Sequence, residues 1–392
     1  MEMTLKELLI SLTEQLKPSS ETANLDTQVL VANLLGKSRA WILGHPDYPI
    51  SDSQQQQITQ AVARLVNGES LPYVIGHWEF FGREFILSPD VLIPRPETEL
   101  LVELGIHWLR AHPERRRAVD VGTGSGCIGV SLAAAIQDLI LVMTDISGEA
   151  LDIARINAQK HNVINRIELI QADLLEGTTG KYDLIGANLP YIPTDLLTSL
   201  SVAKREPRLA LDGGKDGLDL ISKLLKQARY KLASGGVIFL EIEASQGETV
   251  KKIAGDLFPA AHITVQKDLA GRDRCLKVEC FSDLVHICES KAWKDALELR
   301  SFTDASLTHA GFIHSSTPEQ VLQVANRFYQ GVPDLVILWL DPARLNAQIR
   351  WEPADGDVFP HVYGPINLEA VFSVTELCCD EDGIFRTLHL PD

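Results

Sequence analysis

Between residues 117 and 280 the sequence repeats one pattern: a short apolar run, a turn, then a helical stretch. The apolar runs are residues 117–121, 139–144, 166–170, 182–187 and 236–242, and helical stretches such as 149–160 and 217–232 separate most of them. Strands joined through helices pair in parallel, because the crossover helix returns the chain to the same edge of the sheet. A doubly wound α/β sheet is predicted. Ligands on such sheets sit beyond the C-terminal strand ends, at the point where strand order reverses. The turns after these runs are therefore where chemistry is expected.

The flanks read differently. Leu5, Leu8, Leu9, Leu12 and Leu16 recur at three- and four-residue spacing until Lys17-Pro18-Ser19-Ser20 breaks the pattern. A second helix is expected from Ser20 or Glu21 to Gly36, and a third from about Ser53 to Asn67-Gly68, making a small bundle with one buried face. From about Asp283 the alternation stops. Residues 336–340 predict a strand, and Thr317-Pro318-Glu319 predicts a helix start with Thr317 as its N-cap. The net charge is −17, of which about −10 lies after residue 282. An acidic surface repels phosphate backbones, which disfavours a dedicated duplex-DNA binder. No apolar run approaches the roughly 18 residues of a membrane span, and the N-terminus lacks a basic segment followed by an apolar core. Six cysteines without CxxC or CxxH spacing argue against a metal site and a disulfide framework, and fit reduced cytosolic thiols.

The first run ends in Asp120-Val121-Gly122-Thr123-Gly124-Ser125-Gly126-Cys127. Glycines here let the backbone turn tightly and pass close to a ligand. The dinucleotide fingerprint needs a glycine where Cys127 stands, so a nicotinamide enzyme is demoted. Asp120 is placed to accept from an ammonium group, which S-adenosylmethionine carries. Asp145, directly after the second run, stands where a carboxylate takes both ribose hydroxyls. Asp173, after the third, is placed to reach the exocyclic amine of an adenine. Three acids at successive strand ends make the cofactor reading strong.

The fourth run ends in Asn188-Leu189-Pro190-Tyr191, which resembles the [N/D]-P-P-[Y/F] signature of methyltransferases that modify a planar NH₂ group. An amide nitrogen is a poor nucleophile because its lone pair is delocalised, so the enzyme must hold both N–H bonds. The Asn188 side-chain oxygen can accept one and the Leu189 carbonyl the other. Both acceptors also stabilise positive charge developing on nitrogen. Tyr191 offers a ring face. Leu189 stands where proline is usual, so the carbonyl is kept, a fixed φ is lost, and the turn leans on Pro190 for its shape.

Residues 1 to about 282 resemble the release-factor glutamine methyltransferases, the PrmC/HemK family, through several further motifs in order. These are residues 71–76, 79–82 and 91–99, then Glu206-Pro207-Arg208, residues 211–218 and Gly271-Arg272-Asp273-Arg274. The resemblance implies a Rossmann-like class I methyltransferase fold with a mostly parallel seven-stranded sheet. It implies methyl transfer from S-adenosylmethionine to the glutamine amide (N5) of the Gly-Gly-Gln loop of peptide-chain release factors, in the cytoplasm. Three units follow: a helical release-factor-docking unit at 1–84, the methyltransferase unit at 85–282, and an α+β unit at 283–392. Gly122, Thr123, Gly124, Ser125 and Gly126 would line the methionine end of the cofactor and Asp145 its ribose. Asp173 and Leu174 would flank the adenine, with Leu174 where many members carry an aromatic ring. Asn188 to Tyr191 would hold the glutamine, and Arg95 and Glu97 would brace that loop. The rivals are an N6-adenine-type nucleic-acid amino-methyltransferase, which needs a basic groove or target-reading unit not apparent here, and a catalytically inactive cofactor-binding module, against which Asn188 and Asp145 speak. No direct nucleic-acid or membrane contact is expected.

In the last unit, residues 285–288, 311–320 and 359–365 resemble a small uncharacterised bacterial domain family grouped with ADP-ribosyltransferase-like folds. The grouping implies an NAD-type cleft. His286, His314-Ser315-Ser316, His361 and Tyr363 are its candidate contacts, and each reads equally well as a structural histidine or a cap.

Overall fold

Leu5, Leu8, Leu12 and Leu16 all lie on one face of α1 (Leu5–Leu16) and are buried. A capping box starts this helix: the Thr4 hydroxyl accepts from the Glu7 N–H and the Glu7 carboxylate accepts from the Thr4 N–H. The computed structural model describes residues 3–354 and 357–391. α2 (Ala23–Leu34) starts later than Ser20, whose hydroxyl instead bonds Asp26 and accepts from the Thr22 N–H in the turn. α4 (Asp52–Val66) is the third expected helix, and short α3 (Arg39–Gly44) and α5 (Leu71–Ile75) flank it. Their apolar faces close one core that includes Leu30, Ile58, Val62 and Leu65.

A hairpin, β1 (His77–Phe80) and β2 (Arg83–Ile86), leads to α6 (Glu99–Ala111). The predicted alternation follows: β3 (Arg117–Val121), α7 (Cys127–Ala135), β4 (Ile140–Asp145), α8 (Gly148–Lys160), β5 (Ile167–Gln171) and β6 (Tyr182–Ala187). After α9 (Thr194–Leu197) come α10 (Asp219–Lys231), β7 (Leu232–Glu241), α11 (Gly247–Leu257), β8 (His262–Lys267) and β9 (Asp273–Glu279). The seven strands lie in the order β5-β4-β3-β6-β7-β9-β8, parallel except for β9, which runs against both its neighbours. Helices cover both faces, α6, α7 and α8 on one side and α10 and α11 on the other. Strand order reverses between β3 and β6, so the turns after those strands face each other across the switch point.

The last unit holds β10 (Leu284–Glu289), α12 (Ser290–Leu299), β11 (Ser301–Phe302), α13 (Ala305–His309), β12 (Ile313–His314), α14 (Val321–Phe328), β13 (Leu335–Leu340), β14 (Gln348–Ala354), β15 (Asp357–Tyr363), β16 (Ile366–Asn367) and β17 (Val371–Leu377). Its three-stranded sheets have the orders β10-β13-β17 and β12-β15-β14, and β11 pairs with β16. Contrary to expectation, Thr317 does not cap α14, which starts four residues later at Val321. Gln320 explains this. Its side chain accepts from the Thr317 N–H and donates to Asp357 and to the Val358 carbonyl, pinning the intervening turn to β15.

This unit packs beneath the N-terminal ends of the interior strands β6 and β7, away from the switch point. Lys181, just before β6, pairs with the buried Asp341 at 2.5 Å, and Arg229 near the end of α10 donates to the Arg344 carbonyl at 2.7 Å. Ala343 belongs to the core under β6 and β7. The mouth of the switch point is left open by this arrangement. Among the described residues no helix is long and apolar enough to cross a membrane.

Candidate active site

The turn after β3 is held from below. Asp120 is fully buried, and one of its oxygens accepts from the Thr123 hydroxyl at 2.6 Å and from the Gly129 N–H at 2.9 Å. Burial pushes its carboxyl up to about 6. Asp120, expected against a ligand ammonium, lies beneath the turn and outside the cavity lining, and one of its oxygens shapes the turn from there. Gly126 likewise leaves the lining and becomes the left-handed N-cap of α7. Gly122 has φ +67°, and a Cβ there would meet Leu189 Cδ2 at 2.9 Å. The leucine that replaces the usual proline therefore packs onto the first turn, whose left-handed backbone at residue 122 suits glycine.

Asp145, at the end of β4, accepts from the Gly124 N–H at 2.9 Å and from the Ser147 N–H at 3.0 Å, locking the first turn to the second. Burial raises its pKa. Asp173 follows β5 and faces the same cavity, but its carboxylate pairs with Lys223 at 2.5 Å. Leu174 next to it has φ +60°, an unusual backbone for a branched side chain. The four turns, residues 90–95 and residues 207–210 enclose a cavity of about 170 Å³. Gly122, Thr123, Gly124, Ser125, Asp145, Asp173, Leu174, Asn188, Leu189 and Pro190 all line it. Tyr191 does not. It lines a neighbouring cavity of about 110 Å³ with Ile192, Val202 and Leu211. Asn188, Leu189 and Pro190 belong to both linings, so this turn is the partition between two small chambers.

The later loop keeps the partition in place. Backbone bonds run from the Ile192 N–H to the Leu211 carbonyl (3.1 Å), from the Gly213 N–H to the Ile192 carbonyl (2.9 Å) and from the Thr194 N–H to the Gly214 carbonyl (2.8 Å). Gln246 donates to the Tyr191 carbonyl at 3.1 Å. Across the cavity, Arg95 pairs with the buried Glu206 at 2.5 Å, and the Ile93 N–H donates to the same carboxylate at 3.1 Å. Arg95 therefore braces the rim through Glu206. Glu97 makes no such bond; its charge is felt by Glu241.

Two residues of the site escaped the sequence reading. Thr98, buried, accepts from the Asn188 side-chain amide at 3.0 Å. Glu241, buried at the end of β7, interacts with Thr98 and lies 3.5 Å from the Tyr191 hydroxyl. A carboxylate closing an apolar run was the available signal, since an acid is not buried without a reason.

A family model described as the PrmC N-terminal domain matches residues 7–76, and one described as the methyltransferase small domain matches residues 98–205. A model for a protein of unknown function matches residues 287–374. The release factor glutamine methyltransferase of Moorella thermoacetica is 39% identical over 277 residues, covering 70% of this chain and 97% of that protein. That of Bordetella pertussis is 37% identical over 255 residues, covering 64% and 92%. Among solved structures, a release factor-specific protein-(glutamine-N5) methyltransferase from Alicyclobacillus acidocaldarius is 29% identical, covering 50% of this chain and 99% of that one, with a TM-score of 0.32. A Caulobacter crescentus protein is 29% identical over 27% of this chain and 94% of its own, with a TM-score of 0.26.

Proposed function

The chain belongs to the release factor glutamine methyltransferases, and from that premise we propose that it transfers the methyl group of S-adenosylmethionine to the side-chain amide nitrogen (N5) of the glutamine in the Gly-Gly-Gln loop of peptide-chain release factors. The observation that carries the reading is the Asn188–Pro190 partition, shared by two cavities at the switch point. S-adenosylmethionine supplies an electrophilic methyl carbon. The residues fit it: a side-chain-free backbone at Gly122 and Gly124, a carboxylate at Asp145, and apolar Ile146, Leu174 and Leu220 on the wall beyond. The larger chamber would hold the cofactor and the smaller would admit the glutamine side chain.

Asn188 donates its NH₂ to Thr98, so its oxygen is the free end. That oxygen accepts one glutamine N–H and the Leu189 carbonyl accepts the other, which aims the nitrogen lone pair at the methyl carbon. Tyr191 covers the amide plane. The methylated nitrogen is acidic and loses its proton to water, so no general base is required. Orientation of this kind supplies roughly 7–11 kcal/mol of a barrier. Residues 1–84 dock the release factor, residues 85–282 carry the reaction, and the cytoplasm is its setting.

Incubation with labelled S-adenosylmethionine and a purified release factor is expected to label the factor and not its Gln→Ala variant. Equal labelling of both, or labelling of DNA instead, overturns the reading. Asp145→Ala is expected to weaken cofactor binding by about tenfold or more, because a charge-assisted hydrogen bond is worth about 1.5–3 kcal/mol. Calorimetric titration checks this, and an unchanged Kd refutes the ribose role.

For residues 283–392 we propose an NAD-type ligand. A cavity of about 430 Å³ is lined by His286, Asp304, His314, Ser315, Ser316 and aromatic Phe328 and Phe359, among others. His286 Nδ1 is 2.6 Å from the His314 carbonyl, which can only accept, so Nε2 is a buried acceptor with no partner among the described residues. A ribose hydroxyl suits it. His361 and Tyr363 are bound to Glu352 and stand outside this lining. Millimolar NAD is expected to raise the melting temperature of the full chain, and no shift with NAD or ADP-ribose refutes the proposal.

A further inference from the structure

We propose that Thr98 and Glu241 are positioning residues that set which end of the Asn188 side-chain amide faces the substrate. The proposal rests on the methyl-transfer reading above and adds to it the device that fixes the acceptor.

An asparagine amide is nearly symmetrical in shape and opposite in function at its two ends. If its NH₂ faced the glutamine, two donors would meet and the glutamine amide would not be held for reaction. The protein must therefore specify the flip. Thr98 accepts from Asn188 Nδ2 at 3.0 Å. A threonine hydroxyl has a single proton, so it serves reliably as an acceptor only when that proton is drawn elsewhere. We assign that pull to Glu241, whose buried carboxylate interacts with the Thr98 side chain. An ionised carboxylate accepts and cannot donate, so the chain Asn188 N–H to Thr98 O–H to Glu241 has one polarity only. Asn188 Oδ1 then faces the acceptor chamber.

The surroundings support an acid placed for this purpose. Glu241 is 2% exposed, and one of its oxygens has no hydrogen-bond partner among the described residues. Such a carboxylate is costly to keep. Its neighbours come from every element around it: Arg274 on β9 favours the ionised form, while Glu97 ahead of α6 opposes it. The Tyr191 hydroxyl is 3.5 Å away, and the thiols of Cys127 and Cys275 are held neutral by burial. Desolvation dominates, and the Glu241 carboxyl is raised to about 7. Protonated Glu241 can donate to Thr98, which frees the threonine proton for Asn188 Oδ1 and reverses the amide. Turnover is therefore expected to rise with pH through about 7, the range in which the carboxyl ionises.

The test uses the full chain with a purified release factor. Thr98→Val keeps the shape and removes the hydroxyl; it is expected to lower kcat about tenfold, the equivalent of about 1.4 kcal/mol, with KM for the release factor and Kd for S-adenosylmethionine unchanged. Thr98→Ser is expected to restore the rate. Glu241→Gln is expected to abolish the rise of kcat near neutrality. Full activity in Thr98→Val, failure of Thr98→Ser to rescue, or a parental pH profile in Glu241→Gln overturns the proposal. If Thr98→Val fails to fold, the serine variant and the Glu241→Gln profile decide the matter. Should the parent chain fail to label release factors at all, the reading beneath has failed; labelling with unchanged variants sinks only the relay.

Discussion

Asn188→Ala is expected to lower kcat by about 10²–10³-fold, the usual cost of deleting one oriented polar group that stabilises charge in a transition state. The loss falls on kcat because Asn188 Oδ1 binds an N–H that becomes more acidic as the methyl carbon approaches. The same interaction is weaker in the ground state, so KM for the release factor moves less. Cofactor affinity is expected to stay close to the parent value. Asn188 touches the larger cavity, but Asp145 and the Gly122–Gly126 turn are held by their own bonds, which the substitution leaves intact. Single-turnover labelling separates the outcomes. A variant within about threefold of the parent rate, far short of the usual cost, removes Asn188 from the mechanism.

Gly217→Ala is the second large effect and acts without touching any ligand. Gly217 has φ +77°, and a Cβ there would lie 2.1 Å from the Tyr191 carbonyl oxygen. The oxygen is backbone and a Cβ is fixed by its own residue's backbone, so no rotamer change relieves the overlap. The partition itself must shift. A displacement of about 1 Å at a reacting group costs about 10²-fold in rate, and that is the expected fall in kcat, accompanied by a lower melting temperature. Gly68→Ala serves as the control. Its φ is +94° with nothing within 4 Å of a new Cβ, so it carries similar backbone strain far from the site and is expected to keep the parent rate. Equal losses in both variants would mean that strain, and not the clash with the partition, is responsible.

Much of this site was legible because its groups stand at strand ends. Each apolar run located a strand, and a strand's C-terminal end in a parallel sheet is a fixed place in space. Asp145, Asp173 and Asn188 could therefore be assembled from their distances along the chain, and the structure brings all three to one cavity. Asp120 is placed differently. It stands one residue before the end of β3, its side chain points into the interior, and the Thr123 hydroxyl and Gly129 N–H claim it there. Thr98 precedes α6, and Glu241 lies 143 positions later in sequence. Nothing in linear spacing joins them.

The division follows from the range of the forces involved. Periodicity, capping residues and turn glycines act over a few residues, so the sequence by itself determined the three longer helices of the bundle, the alternating strands and the place of the two turns. Amide orientation, the burial of Glu241 and the packing of Leu189 onto Gly122 depend on atoms brought together from distant segments. Those were decided only when the seven strands closed around the switch point, because hydrogen-bond direction and steric contact operate across about 3 Å and are invisible until the partners meet.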